Sequence, residues 1–96
     1  MFIVSLTYIK PIEEVDLLIA EHIDFLDEQY RLGNFQLSGR KQPRTGGVIL
    51  ATVKSREILD QILDLDPFHR EKIAHYEVIE MVPSKSSKAL EFLIEV

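Results

Sequence analysis

The stretch NFQLSGRKQPRTGGVILATV, residues 34 to 53, holds two strand-like runs, NFQLSGR (34–40) and GGVILATV (46–53), on either side of KQPRT. Apolar and β-branched residues favour extended chain in the runs, while Pro43 and the paired Gly46 and Gly47 punctuate it, so the stretch predicts a hairpin. What flanks that hairpin decides the fold. Upstream, Val15, Ile19, His22, Ile23, Leu26 and Tyr30 recur at helical spacing while Glu14, Glu21, Asp24 and Glu28 take the other faces. This predicts an amphipathic helix over about residues 12 to 32. Pro11 suits its first turn, Glu13, Glu14 and Asp16 complement the positive end of the helix dipole, and Arg31 with Gly33 marks its close. Before it, FIVSLTYI (2–9) reads as a strand that stops at Lys10-Pro11.

Downstream, Ser55 can cap a second helix carrying Ile58, Leu59, Ile62, Leu63 and Leu65. That helix is expected to stop near Asp66, because Pro67 disfavours helical geometry at the residue before it. HYEVIEMV (75–82) reads as a fourth strand, ended by Pro83. The order is β-α-β-β-α-β, the pattern of an α+β, ferredoxin-like domain with an antiparallel sheet and two helices on one face. The other face stays open. An exposed apolar sheet face is a liability in a small domain, and a second copy covering it is the simplest remedy, so a homodimer or higher homo-oligomer is expected. Residues 1–83 form the domain, and SKSSKALEFLIEV (84–96) is a tail readable as a short helix, an added strand or an arm to a partner.

Composition bounds the function classes. A chain of 96 residues has room for one core, and 46% hydrophobic residues are enough for it to fold. A net charge of −5, from 11 basic and 16 acidic residues, argues against a nucleic-acid or anionic-membrane surface, both of which need clustered positive charge. Cysteine is absent, which removes disulfides and thiolate chemistry. MFIVSLTYIK lacks a basic n-region, and its apolar run is too short to span a bilayer, so a cytoplasmic protein is expected.

Chemistry could be carried by a few positions. His22 lies in the middle of the apolar stripe of the first helix, where it is either a core histidine satisfied by carbonyls or an acid/base group whose tautomer a partner fixes. Asp66 is the best candidate partner, since a carboxylate at a helix end before a proline can be aimed; its other reading is an ordinary Asp-Pro turn. Ser38 falls near a strand end, Gly46 permits close backbone approach, and Arg40 and Arg44 can donate charge-assisted hydrogen bonds to an anion. An ordinary hairpin with solvated arginines would look the same. P-loop, dinucleotide and HExxH patterns are missing, and His69 and His75 stand six apart, off helical spacing, so neither a metal nor another cofactor is expected.

EHIDFLDEQYRLGNFQLSGRKQPRTGGVILA followed by LDQILDLDPFHREKIAHYEVIEMVP resembles the YciI-like (YCII-related) family, small ferredoxin-like proteins that dimerise into an α+β barrel. The helix histidine, the Ser-Gly before the hairpin, the Pro-Arg-x-Gly-Gly turn and the Asp-Pro-Phe carry the resemblance. It implies a site built on His22 and Asp66 in a cleft beside the sheet, with Ser38, Arg44 and Gly46 nearby. Arg40 departs from the proline common among relatives and adds positive charge beside the cleft, and His69 is also unusual. Related dimeric barrels include muconolactone isomerase-like and dehydrochlorinase enzymes acting on oxidised rings. The resemblance thus implies isomerase, lyase or dehydrohalogenase chemistry on a small organic anion. The competing expectation is a ligand-binding or dimeric assembly module without turnover, in which His22 and Asp66 only fasten the two helices.

Overall fold

A strand at the very start of the chain becomes the centre of the sheet. A computed structural model describes residues 1 to 94. β1 (Phe2–Tyr8) is followed by α1 (Ile12–Arg31), β2 (Phe35–Arg40), β3 (Gly46–Ala51), α2 (Arg56–Leu63), α3 (Pro67–Arg70) and β4 (Ala74–Glu80). The sheet order is β2-β3-β1-β4 and every neighbouring pair is antiparallel. This is the expected ferredoxin-like α+β topology. The helices cover one face, where Phe2, Val4 and Leu6 of β1 meet Ile49 and Ala51 of β3, Val15 and Phe25 of α1 and Leu59 of α2 in one cluster. Ile3, Leu37, Val48, Leu50 and Ile79 lie on the opposite, uncovered face, since alternate strand residues point to opposite sides.

α1 ends as its sequence suggests. Gly33 adopts φ 78°, Asn34 N–H donates to the Gln29 carbonyl at 2.9 Å and Gly33 N–H to that of Tyr30 at 3.0 Å, the paired bonds of a Schellman close. Its buried side chains, however, are Val15, Phe25 and Gln29, while Ile23 and Tyr30 of the expected stripe are exposed. Gln29 is tolerated inside because Asn34 donates to its side-chain carbonyl at 2.8 Å. Ile19, Ile23 and Leu26 line a cavity beside His22.

The second helix corrects the sequence reading. α2 closes at Leu63, and Asp66-Pro67 begins a new helix instead of ending the old one. The Asp66 side chain accepts from Phe68 N–H at 3.0 Å as the N-cap of α3, and Pro67 takes the first helical position, where a missing N–H costs nothing. Proline therefore excluded a helical Asp66, as expected, but by making it a cap.

β2 contains a device that periodicity does not reveal. Phe35 pairs with Ala51 and Leu37 with Leu50, so Gln36 is the extra residue of a bulge. The bulge resets the alternation, placing Ser38 opposite Ile49 and Arg40 opposite Gly47 on the helix-covered side of the sheet. Without it both would face the open side. Beyond β4 the tail contains a 3-10 helix, Lys88–Leu93, held by the buried Leu93 while Leu90 and Phe92 stay exposed. Among the described residues, no helix is long and apolar enough to cross a membrane.

Candidate active site

The cap of α3 and the middle of α1 meet. Asp66 Oδ1 lies 2.8 Å from His22 Nδ1, and Asp66 is fully buried while the imidazole keeps 12% of its side-chain surface exposed. An ionised carboxylate can only accept, so Nδ1 is the donor in this contact, and in the neutral ring that leaves Nε2 as the acceptor. His22 forms part of the cavity wall, and Nε2 has no hydrogen-bond partner among the described residues. The ring cannot easily turn, because Phe68 stacks on it with centroids 4.1 Å apart and planes 10° apart. Tyr8 meets Phe68 edge-on at 5.9 Å and supports the stack from behind.

Asp66 accepts a third donor, the hydroxyl of Tyr76 on β4, at Oδ2. A buried anion is tolerable only when its lone pairs are satisfied, and here Oδ1 takes the imidazole and Phe68 N–H groups while Oδ2 takes the phenol. Burial first, then the charge of Asp66 and the hydrogen bond to it, push the Tyr76 phenol far above tyrosine's ordinary 10.0. As pH rises, the unfolded chain releases this proton before the folded one does, so the folded state holds the extra proton and stability falls above about pH 10. The melting temperature is expected to drop more steeply between about pH 9 and about pH 11 in the wild type than in Tyr76→Phe. Equal slopes would show that Tyr76 ionises freely in the folded state.

The cavity, about 200 Å3, lies between α1 and the β2–β3 hairpin. Leu6, Ile19, Ile23 and Leu26 make it apolar, and His22, Ser38 and Arg40 supply its polar groups together with Tyr8. Gly46 and Gly47 form part of its lining. The Ser38 hydroxyl accepts from Tyr30 at 2.6 Å, which leaves its own proton to donate. Arg40 has no ion-pair partner among the described residues, whereas Arg44 is committed to Asp16 at 2.6 Å and does not line the cavity. Of the two arginines singled out by sequence, the structure therefore puts Arg40 beside His22 and draws Arg44 away. The Asp16 hydrogen bond raises the Arg44 pKa above its ordinary value.

A larger concavity of about 390 Å3 lies over the open face and shares Ser38, Gly39, Arg40, Val48 and Ile49 with the first. Arg40 is the charged residue in its lining. Near the dyad, Arg70 of α3 holds Glu21 of α1 through two bonds, at 2.5 and 3.0 Å. That hydrogen bond keeps the Glu21 carboxyl below its usual range, and the pair ties the two helices one residue from His22. His69 and His75 are exposed; His69 approaches Asp64 and meets the Tyr76 ring edge-on at 5.2 Å, and His75 approaches Glu77.

Tyr76, Phe68 and Tyr8 were not evident as site residues in the sequence. The one available signal was Asp-Pro-Phe, whose phenylalanine follows the carboxylate by two positions and reaches His22 only because α3 turns there.

Among solved structures the fold matches 5-chloro-2-hydroxyhydroquinone dehydrochlorinase from Burkholderia phenoliruptrix AC1100, in complex with 2,5-dihydroxybenzoquinone. The match has a TM-score of 0.72 at 16% sequence identity, covering 93% of this chain and 98% of that one. No functionally curated protein matches the chain. The YCII-related domain profile matches residues 1–82, the whole of the βαββαβ unit. The chain belongs to the YCII-related family.

Proposed function

We propose that this protein is an acid/base enzyme needing no cofactor, which moves a proton on a small organic anion in an isomerase, lyase or dehydrohalogenase type of reaction. The observation that carries the reading is the buried Asp66 carboxylate on His22 Nδ1, with Nε2 left free beside a cavity that also holds the unpaired Arg40. Arg40 binds the anion, and the apolar walls exclude water from the carbon being deprotonated. Nε2 takes the proton. The imidazolium so formed is stabilised by the Asp66 charge and can return the proton to another atom of the substrate or to a leaving group. Such a base contributes about 10² to 10⁴ in rate, which suits an acidic C–H next to a carbonyl. A structural relative holding an oxidised ring makes hydroxylated ring anions the first compounds to screen.

The test is hydrogen–deuterium exchange at substrate carbon, followed by NMR in heavy water. Exchange should occur with the wild type and disappear in His22→Ala. Binding without exchange would support a ligand-binding module instead, and neither binding nor exchange across the set would sink the reading. Arg40→Ala is expected to weaken binding of the active anion by about 10- to 100-fold, the worth of a charge-assisted hydrogen bond, with little change in melting temperature. Titration calorimetry checks this, and Arg44→Ala serves as the control.

The protein is proposed to act as a homodimer through its open sheet face. Leu37 is 67% and Ile79 59% exposed there, beside Val48 and Leu50, an apolar patch that a second copy would cover. Because the concavity on that face shares its rim with the His22 cavity, the partner would also narrow access to Arg40. Sedimentation should give twice the 11.1 kDa chain mass, falling to one chain in Leu37→Asp with Ile79→Asp. A wild-type monomer at working concentration would refute the pairing.

A further inference from the structure

The geometry points to Tyr76 as a positioning residue for His22: by donating to Asp66 Oδ2 it orients the carboxylate, which holds the Nδ1–H tautomer of the imidazole. The inference rests on the reading of His22 and Asp66 as the acid/base pair.

Three donors converge on one carboxylate with no exposed surface, and they divide unequally between its oxygens. Oδ1 serves both His22 and the Phe68 amide, whereas Oδ2 has Tyr76 alone. The Phe68 amide is fixed by the helix it begins, so Tyr76 is the donor that sets the carboxyl plane from the far side, across from α1. Among the described residues no buried polar side-chain atom lacks a partner, so losing the phenol proton would leave Oδ2 alone in that respect. Without that donor nothing fixes Oδ2, and the carboxyl group can rotate away from the orientation in which Oδ1 faces both the His22 ring and the Phe68 amide. A rotated carboxylate offers His22 a less well aligned hydrogen bond, and such bonds weaken steeply as alignment is lost. The preference for Nδ1–H relaxes, and the Nε2 lone pair facing the cavity is available for a smaller fraction of the time. Tyr76 reaches no cavity atom of the site itself, since it is absent from the wall that His22 lines. It therefore acts through Asp66.

The readout is the ring nitrogen pattern of His22 in the full, 15N-labelled chain without substrate, assigned among the three histidines with His22→Gln. In the wild type the Nδ1–H tautomer should dominate. In Tyr76→Phe, which keeps the ring and removes only the donor, the Nε2–H to Nδ1–H ratio should rise about tenfold, the equivalent of one lost bond to a buried charge. In an Asp66→Asn background the same change should add nothing further, because the route through the carboxylate is already gone. A folded Tyr76→Phe with the His22 pattern of the wild type would overturn the proposal and reduce Tyr76 to core packing. So would an equal, additional effect in Asp66→Asn.

If Tyr76→Phe does not fold, biosynthetic replacement of the tyrosines by 3-fluorotyrosine strengthens the same hydroxyl as a donor, and Tyr8→Phe controls for the neighbouring ring. Because both donors share one carboxylate, the His22 Nδ1–H signal must then shift, and an unmoved signal overturns the proposal. Failure of the enzymatic reading is read separately, because the tautomer is measured on free protein and the deuterium exchange on substrate.

Discussion

Gly46→Ala should yield no stably folded protein. A methyl group at this position would stand 1.7 Å from the carbonyl oxygen of Leu6 and 2.7 Å from its carbon, far inside any permitted contact. Both are backbone atoms of the central strand, so no side chain can swing aside. Gly46 pairs with Thr7 at the start of the β1–β3 ladder, and relief requires pulling the strands apart at the lining of the His22 cavity. The cost should exceed about 4 kcal/mol, a large share of the 5–15 kcal/mol that holds a typical domain together. Circular dichroism and thermal melting check it. Gly39→Ala is the matched control, because a methyl there meets nothing within 4 Å and the melt should hardly move. Equal melting of the two variants would mean that the β1–β3 contact is not as close as described.

Asp66→Ala follows in size. It strips the acceptor from His22, Phe68 and Tyr76 together and removes the N-cap of α3. Breaking a buried hydrogen-bonded group of this kind costs about 3–5 kcal/mol, to which the lost cap belongs. The isosteric Asp66→Asn should lose less, about 1–3 kcal/mol, since its amide oxygen can still accept from some of the donors. Function should separate from stability in this second variant. Without the negative charge, the imidazolium formed during proton transfer is unsupported, and exchange at substrate carbon should slow by at least about 10²-fold while the protein remains folded. Urea melts give the stability and deuterium exchange gives the rate. Full activity in a folded Asp66→Asn would remove the carboxylate from the mechanism.

Much of the architecture was legible before any coordinate. The change of period at Ile12, the Ser55 cap and the Pro43-Gly46-Gly47 punctuation are local signals, and each marks a real boundary to within a few residues. Where a local signal admitted two outcomes, packing chose. Pro67 excluded a helical Asp66 and was equally compatible with ending one helix or opening another; the buried Phe68 and the helix behind it made it an opening. The apolar stripe of α1 blurred because Phe25 and Gln29 carry the burial while Ile19, Ile23 and Leu26 line a cavity, and periodicity does not distinguish a core wall from a cavity wall.

The sequence by itself determined the order of the elements, the single core and the hairpin with its glycines, and it marked His22 and Asp66 as candidates. These follow from spacing within one element, or from a motif a few residues long. The tertiary structure alone decided that these two side chains, 44 residues apart, meet at 2.8 Å, and that Tyr76 completes the carboxylate from a third element. It also decided that the bulge at Gln36 turns Ser38 and Arg40 toward the helices, and that Arg44 is taken by Asp16. Local sequence fixes a side chain's direction relative to its own strand or helix. Which side chain it meets depends on how the sheet stacks those elements, and one extra residue in β2 reverses that answer for every residue after it in the strand.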